Sequence, residues 1–223
     1  RMSDAYANVR KYTGESAEGV EELNEELKKM DTRTSREELN RLLGEAGKLG
    51  ITGKENLLGF ARAADIIQVA LGDDLGEDAV KSMGKLAEMF GLVQDMGIEK
   101  SMLKVASVIN ELAQNSTASE PYILEFTNRL AGIGKVANLS IDQIAGFGSV
   151  LDQNAQQVEM SATAFSKFVT TLATDSDRVA NAVGLPAKEL AKTVRTDMNQ
   201  ALMMVFKQLK KKGGQVEIAP LFK

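Results

Sequence analysis

The chain contains no cysteine, no histidine and no tryptophan among its 223 residues. Without imidazole or thiol, catalysis of the Ser–His or Cys–His kind is excluded. Disulfides, Cys/His zinc sites and c-type haem attachment lack their donors as well. Only carboxylate, hydroxyl, amine and main-chain chemistry remains, which disfavours an enzyme and gives no reason to expect a cofactor or a metal. Proline is scarce, at Pro121, Pro186 and Pro220, so long stretches are free to be helical. No apolar run approaches the roughly 18 residues of a membrane span, and no signal peptide is recognisable. A soluble segment with no membrane contact is expected.

What is present is an ordinary globular balance, 43% apolar and 26% charged residues, enough to fold rather than stay disordered. A length of 223 allows one large domain or two small ones. The net charge of −4 gives no attraction to nucleic acid or to an anionic membrane. Charge is unevenly spread: residues 51–100 carry 5 basic and 9 acidic groups, residues 201–223 carry 5 and 1. The chain opens at Arg1 without an initiator Met and reads as a piece of a longer protein.

Apolar residues recur at spacings of three and four over most of the length, which is helical periodicity. Capping boxes are legible at Ser35 with Glu38, Thr52 with Glu55 and Ser140 with Gln143. Further starts are expected at Ser119 ahead of Pro121, at Ser161, and at Asp175 or Thr196. Stops are expected at Gly50, Gly72, Gly91, Gly184 and Gly213-Gly214. The expectation is an all-α multi-helix bundle of about nine to eleven helices, the last running over 187–211, with a short extended piece at Val216-Glu217-Ile218.

A weak internal repeat aligns Leu57-Leu58-Gly59-Phe60 and Asp65 with Ile144-Ala145-Gly146-Phe147 and Asp152, both at an offset of 87, and Val80, Met83 and Ala87 with Phe165, Phe168 and Leu172 at 85. Two readings stand: duplicated halves, 31–115 and 116–223, or the chance likeness of any two amphipathic helix pairs. Residues 1–30 form an amino-terminal arm in which Tyr6, Thr13, Val20 and Leu27, with Met2, Val9, Ser16, Leu23 and Met30, fall on heptad a and d positions. Such a seam belongs either to a helix packed on its own bundle or to a multi-chain coiled coil, in which case the arm self-associates. Six Glu between 15 and 26 make its other faces acidic.

Candidate chemistry is thin. Gly132-Ile133-Gly134-Lys135-Val136-Ala137 has dinucleotide-fingerprint spacing, but it lies inside a helical pattern instead of between a strand and a helix start. Close helix approach is the better account, there and at Gly146-Phe147-Gly148. The pairs Gly47-Lys48, Gly53-Lys54, Gly84-Lys85 and Gly134-Lys135 lack the upstream glycine of a P-loop. Asp73, Asp74, Glu77 and Asp78 lack calcium-loop spacing and read as acids at a helix start. Lys207, Lys210, Lys211 and Lys212 read as a last helical turn, with no interleaved aromatics to suggest nucleic acid. Glu111 and Glu120 are carboxylates without a partner across a cleft, so no glycosidase-like pair emerges. Catalytic, cofactor and metal residues are therefore expected to be none.

The run Lys29-Met30-Asp31-Thr32-Arg33-Thr34-Ser35, then Ala46-Gly47-Lys48-Leu49-Gly50-Ile51, Gly59-Phe60, Ala63-Ala64-Asp65 and Val69-Ala70-Leu71-Gly72 resembles the core of bacteriophage tail tape measure proteins, particularly prophage forms. Leu139-Ser140, Ser161-Ala162-Thr163-Ala164, Val183-Gly184-Leu185, Thr196-Asp197, Ala201-Leu202, Gly213-Gly214 and Ala219-Pro220-Leu221-Phe222 continue the likeness in order, with 31–223 as the core domain. The resemblance implies a structural protein of the tail interior of the virion, assembled in the bacterial host cytoplasm, that sets tail length and templates tube assembly. The implied partners are the tail-tube protein, tail assembly chaperones and baseplate or tip proteins; no catalytic residues carry over. The frequent glycine stops depart from the long continuous helix of a ruler. The alternative is a cellular helical scaffold or protein-interaction module, with a peptidoglycan hydrolase a distant third.

Overall fold

The computed structural model describes residues 1–76, 78–152 and 157–213, so the expected extended piece at Val216–Ile218 lies outside the described residues. Among these there are twelve α-helices and no strand: α1 Met2–Thr13, α2 Ala17–Lys29, α3 Arg36–Lys48, α4 Lys54–Leu75, α5 Ala79–Met89, α6 Leu92–Gln114, α7 Glu120–Val136, α8 Ile141–Leu151, α9 Val158–Thr174, α10 Ser176–Val183, α11 Ala187–Thr196 and α12 Met198–Gly213. The all-α expectation holds. The stretch 187–211 is two helices because the Asp197 carboxylate accepts the Gln200 N–H at 3.1 Å and starts a new one. Asp197, not Thr196, is therefore the cap. Three other boundaries differ from the sequence reading. Thr52 caps nothing, since Gly53 is the residue before α4; Ser161 is buried inside α9; and α4 continues through Gly72 to Leu75. In α6 the helix is interrupted at Gly97, whose φ is 79°.

The chain divides into two compact units, Arg1–Val108 and Ile109–Lys223. In the first, α1 lies along α3. Ala5, Val9 and Thr13, spaced by four, form its buried stripe, and α3 meets it with Gly44 and Gly47. A Cβ on Gly47 would stand 2.6 Å from the carbonyl carbon of Tyr12, so only glycine permits this approach. Helix α2 buries Val20, Leu23 and Leu27, each removal from water contributing about 1.5–3 kcal/mol. These are the heptad positions of the arm. Their cover comes from α1, α3 and α4 of the same chain, in line with the first of the two readings, a helix packed on its own bundle.

One polar pair is buried in this apolar packing. Asn24 of α2 donates to Asn40 Oδ1 at 2.9 Å and Asn40 of α3 donates back to Asn24 Oδ1 at 2.6 Å. Each amide also donates to its own helix, to Val20 O at 2.9 Å and Arg36 O at 2.8 Å. Because every N–H is used, the pair fixes the register of α2 on α3 without an unsatisfied group. Helix α4 is apolar on several sides and runs against α2, α3 and α5. Phe60 at its centre is fully buried and is in close approach to Gly84 of α5.

In the second unit the core is aromatic. Tyr122 and Phe126 of α7 stack at 6.5 Å; Phe126 meets Phe165 of α9 at 5.5 Å; Phe147 of α8 meets Phe165 and Phe206 of α12, each at 5.1 Å; and Phe206 meets Phe168 at 5.7 Å. Gly148 makes room for this cluster, since a Cβ there would stand 2.7 Å from Phe126 Cδ1.

Two aspartates tie loops to helices in the same way. Asp65 Oδ1 on α4 accepts the N–H groups of Arg33 and Thr34, at 3.1 and 2.8 Å, just ahead of α3. Asp152, just after α8, accepts the N–H of Ser119, the cap of α7, at 3.3 Å.

The buried amide pair gives a direct test. Asn24→Ala should lower stability by about 2 kcal/mol, because it leaves the Asn40 amide buried and half-satisfied. Replacing both residues with leucine should cost less than the sum of the two single replacements. Urea unfolding of Asn24→Leu, Asn40→Leu and the double leucine variant measures the coupling, and additive losses would show that the pair is not coupled.

Candidate functional site

The glycine motifs build no phosphate cradle. Gly132 and Gly134 lie in the last turns of α7, and Gly146 and Gly148 lie inside α8. The expectation of close helix approach holds at Gly148 but not at Gly132 or Gly146, around which a Cβ would meet nothing within 4 Å. The reason is facing: Gly132 and Gly146 point away from the packed side of their helices. Of the Gly-Lys pairs, Gly47 serves the α1–α3 contact and Gly84 makes space for Phe60.

The acidic cluster is placed differently from its sequence reading. Since α4 runs on to Leu75, Asp73 and Asp74 stand in its last turn, where the helix dipole opposes a carboxylate. Asp78 precedes α5 without a side-chain capping bond, and Glu77 lies outside the described residues. Among the described residues no group of three or more acids could hold a metal ion.

Lys210, Lys211 and Lys212 do close α12. Lys212 reaches Gly184, the left-handed cap of α10, where its ammonium lies 2.9 Å from the position a Cβ would take, and Gln208 donates to the Gly184 carbonyl at 3.3 Å. Two groups from the end of α12 thus lie at the negative end of α10. Glu111 sits on α6 and Glu120 opens α7.

What the surface offers is charged and apolar helix faces. On α2, Glu18, Glu21, Glu22, Glu25 and Glu26 line a groove of about 410 Å³ with Lys54 of α4 as its cation. Lys28, bonded to Glu25 at 2.7 Å, holds that carboxyl below its ordinary value. In the second unit Arg129, Ala162, Thr163, Ser166 and Lys167 line a groove of about 420 Å³, where Arg129 is shared between Glu125 at 2.8 Å and Glu159 at 3.5 Å. Ile66 and Val69 of α4 are about half exposed, and Met160 and Val136 more so. On α7, burial raises the Tyr122 phenol, with the Ser161 hydroxyl drawing it partly back.

Sequence reasoning missed two features. Ile66 and Val69 lie on a helix apolar on several faces, and only coordinates show which face lacks cover. Glu45 was unremarkable, yet it joins α3 to α5 by pairing with Lys48 at 3.2 Å and Lys81 at 3.2 Å. The i, i+3 spacing of Glu45 and Lys48 was visible in the sequence; the partnership with Lys81 was not.

Compared with known proteins, residues 19–221 match the family model of phage-related minor tail proteins, nearly the whole chain. No curated protein and no solved structure was found to match it.

Glu45 yields a pH prediction. Burial works to raise its pKa, but pairing with Lys81 and Lys48 more than offsets this, and the folded value is lowered. Its stabilisation is therefore complete above the unfolded value of about 4.3 and is lost as pH falls through the lower folded one. Lys81→Met should cost about 1 kcal/mol at pH 7, and the deficit should shrink once Glu45 protonates. Urea midpoints at pH 7 and pH 3 check this; an equal deficit at both would rule out the ion pair as the cause.

Proposed function

This chain belongs to the phage-related minor tail protein family, and from that premise we propose that it is a non-catalytic structural part of the tail, acting in assembly as a folded section of a tape-measure-type protein. The family places it with virion tail components. The finer role, in tail length determination, rests on the ordered sequence resemblance from Lys29 to Phe222. Tail-tube protein, tail assembly chaperones and baseplate or tip proteins are the proposed partners, and helix faces such as the acidic side of α2 and the Ile66–Val69 stripe are the surfaces offered to them. Family membership weighs against a cellular scaffold.

The observation that carries this reading is the shortness of the helices. The longest, α6, has 23 residues and is broken at Gly97. A ruler drawn out as one helix would need the whole chain to rise by about 1.5 Å per residue, roughly 335 Å in all. Helices stopped by left-handed residues at Gly50, Asn138 and Gly184 build bundles, and a bundle covers only tens of Å. We therefore assign this stretch to docking or termination of the growing tail instead of to measuring.

The two halves, 31–115 and 116–223, are read as products of a duplication. Phe60 and Phe147 are both buried, as are Val80, Met83 and Ala87 and their counterparts Phe165, Phe168 and Leu172. Asp65 accepts two main-chain N–H groups ahead of α3 and Asp152 accepts one at the start of α7.

Removing residues 109–223 from the phage gene separates the two roles. If this stretch measured length as a helix, tails would shorten by about 170 Å. For a folded docking section, electron micrographs should show tails of unchanged length or no assembled tails. Uniformly shortened, intact tails would refute the assignment.

A further inference from the structure

We propose that α1 is an exchangeable clasp, which leaves α3 of its own chain and docks in the same groove of a second copy. The groove is formed by α3 at Gly44 and Gly47, where the α1 backbone passes so closely that Tyr12 stands 2.6 Å from the missing Cβ of Gly47. Between this occupant and α2 the chain has only Gly14, Glu15 and Ser16. Gly14 has φ 75° and ψ 5°, the left-handed conformation that ends a helix and that an L side chain resists.

The sequence across this turn is written for a straight helix. Val9, Thr13, Val20, Leu23 and Leu27 keep heptad register through the break, with no residue inserted or lost, and all five are buried. If Gly14, Glu15 and Ser16, of which Ser16 is now extended at ψ 166°, took helical angles, residues 2–29 would form one helix of about 42 Å. With α2 held by the Asn24–Asn40 pair, α1 would then project away from α3. That would leave Ala5, Val9 and Thr13 uncovered and the groove open, and a second copy in the same state relieves both. The exchanged contacts are identical to the closed ones, so the balance is set by the turn at Gly14 and by concentration, the usual conditions for a swap. The family match adds a separate observation. It begins at residue 19, so the groove lies in the family segment and its occupant lies outside it.

The chain has no cysteine, which makes the test clean. The Asn8 Cβ is 3.6 Å from the position of a Cβ on Gly44, a distance suited to a disulfide. Asn8→Cys and Gly44→Cys variants of the 223-residue chain, mixed at high concentration and oxidised, should give a dimer linked between positions 8 and 44. Gly14→Ala in both should raise its yield about tenfold, since it strains the turn and favours the continuous helix. The double variant Asn8→Cys/Gly44→Cys should close partly within and partly between chains. Closure only within one chain, with no cross-linked dimer from the mixed single variants in either background, would overturn the proposal. Should Gly44→Cys fail to fold by circular dichroism, sedimentation equilibrium of the cysteine-free chain and its Gly14→Ala form decides the matter. A concentration-dependent dimer strengthened by Gly14→Ala supports exchange, and strictly monomeric chains in both overturn it.

Discussion

A helix end leaves up to four N–H or four C=O groups without a partner inside the helix, and the twelve helices among the described residues multiply that debt. Much of the irregular structure follows from how it is met. Ser140 and Gln143 satisfy each other's backbone at 3.2 and 3.0 Å. Ser16, Ser35 and Ser119 each cover one N–H. At the other ends, α3, α7 and α10 close alike: Gly50, Asn138 and Gly184 turn left-handed, and the next residue, Ile51, Leu139 or Leu185, returns its N–H to a carbonyl five residues back. Ile51 and Leu139 are then buried, so the turn that satisfies the carbonyls also delivers an apolar side chain to the core. Asp65 and Asp152 extend the device to loops that no local residue covers.

The two units answer the packing problem differently. In the first, small residues bring backbones together, with Gly44 and Gly47 under α1 and Gly84 beside Phe60. Area is lost at each glycine, but close approach recovers dispersion contacts along the helix. In the second, a connected series of rings from Tyr122 to Phe168 fills the space, and large side chains supply apolar area that glycine cannot. A cavity opened by truncating Phe165, which touches both Phe126 and Phe147, would be felt on three helices at once.

Helix class and several starts were legible because their causes are local. Ser140 with Gln143, Ser119 ahead of Pro121, and Asp175 act within four residues of themselves. What failed were readings in which a local rule competed with something distant. Thr52 had the right spacing to cap α4, but the chain enters that helix through Gly53 at φ 88°. Gly72 looked like a stop, yet α4 continues and its acids end in the wrong turn for the dipole. The arm's heptad was legible as a stripe; whether α3 or another chain covers it depends on Gly44 and Gly47, residues whose role is visible only once Tyr12 stands against them. With no catalytic cluster legible in the sequence, the offered surfaces had to come from exposure, which no periodicity gives for a helix apolar on several sides such as α4.

The Asn24–Asn40 pair has a consequence for the conditions under which the arm keeps its place. Burying an Arg–Glu pair there would also have fixed register, but such a pair titrates with acid and brings a desolvation penalty. Amides have no charge to protonate, and salt has nothing to screen. The amide contact between α2 and α3 is thereby independent of ionic strength and of acidity. Environments that loosen the Glu45–Lys81 contact or the acidic face of α2 leave it untouched, so the outer charges of this unit can respond to their surroundings while its inner register does not.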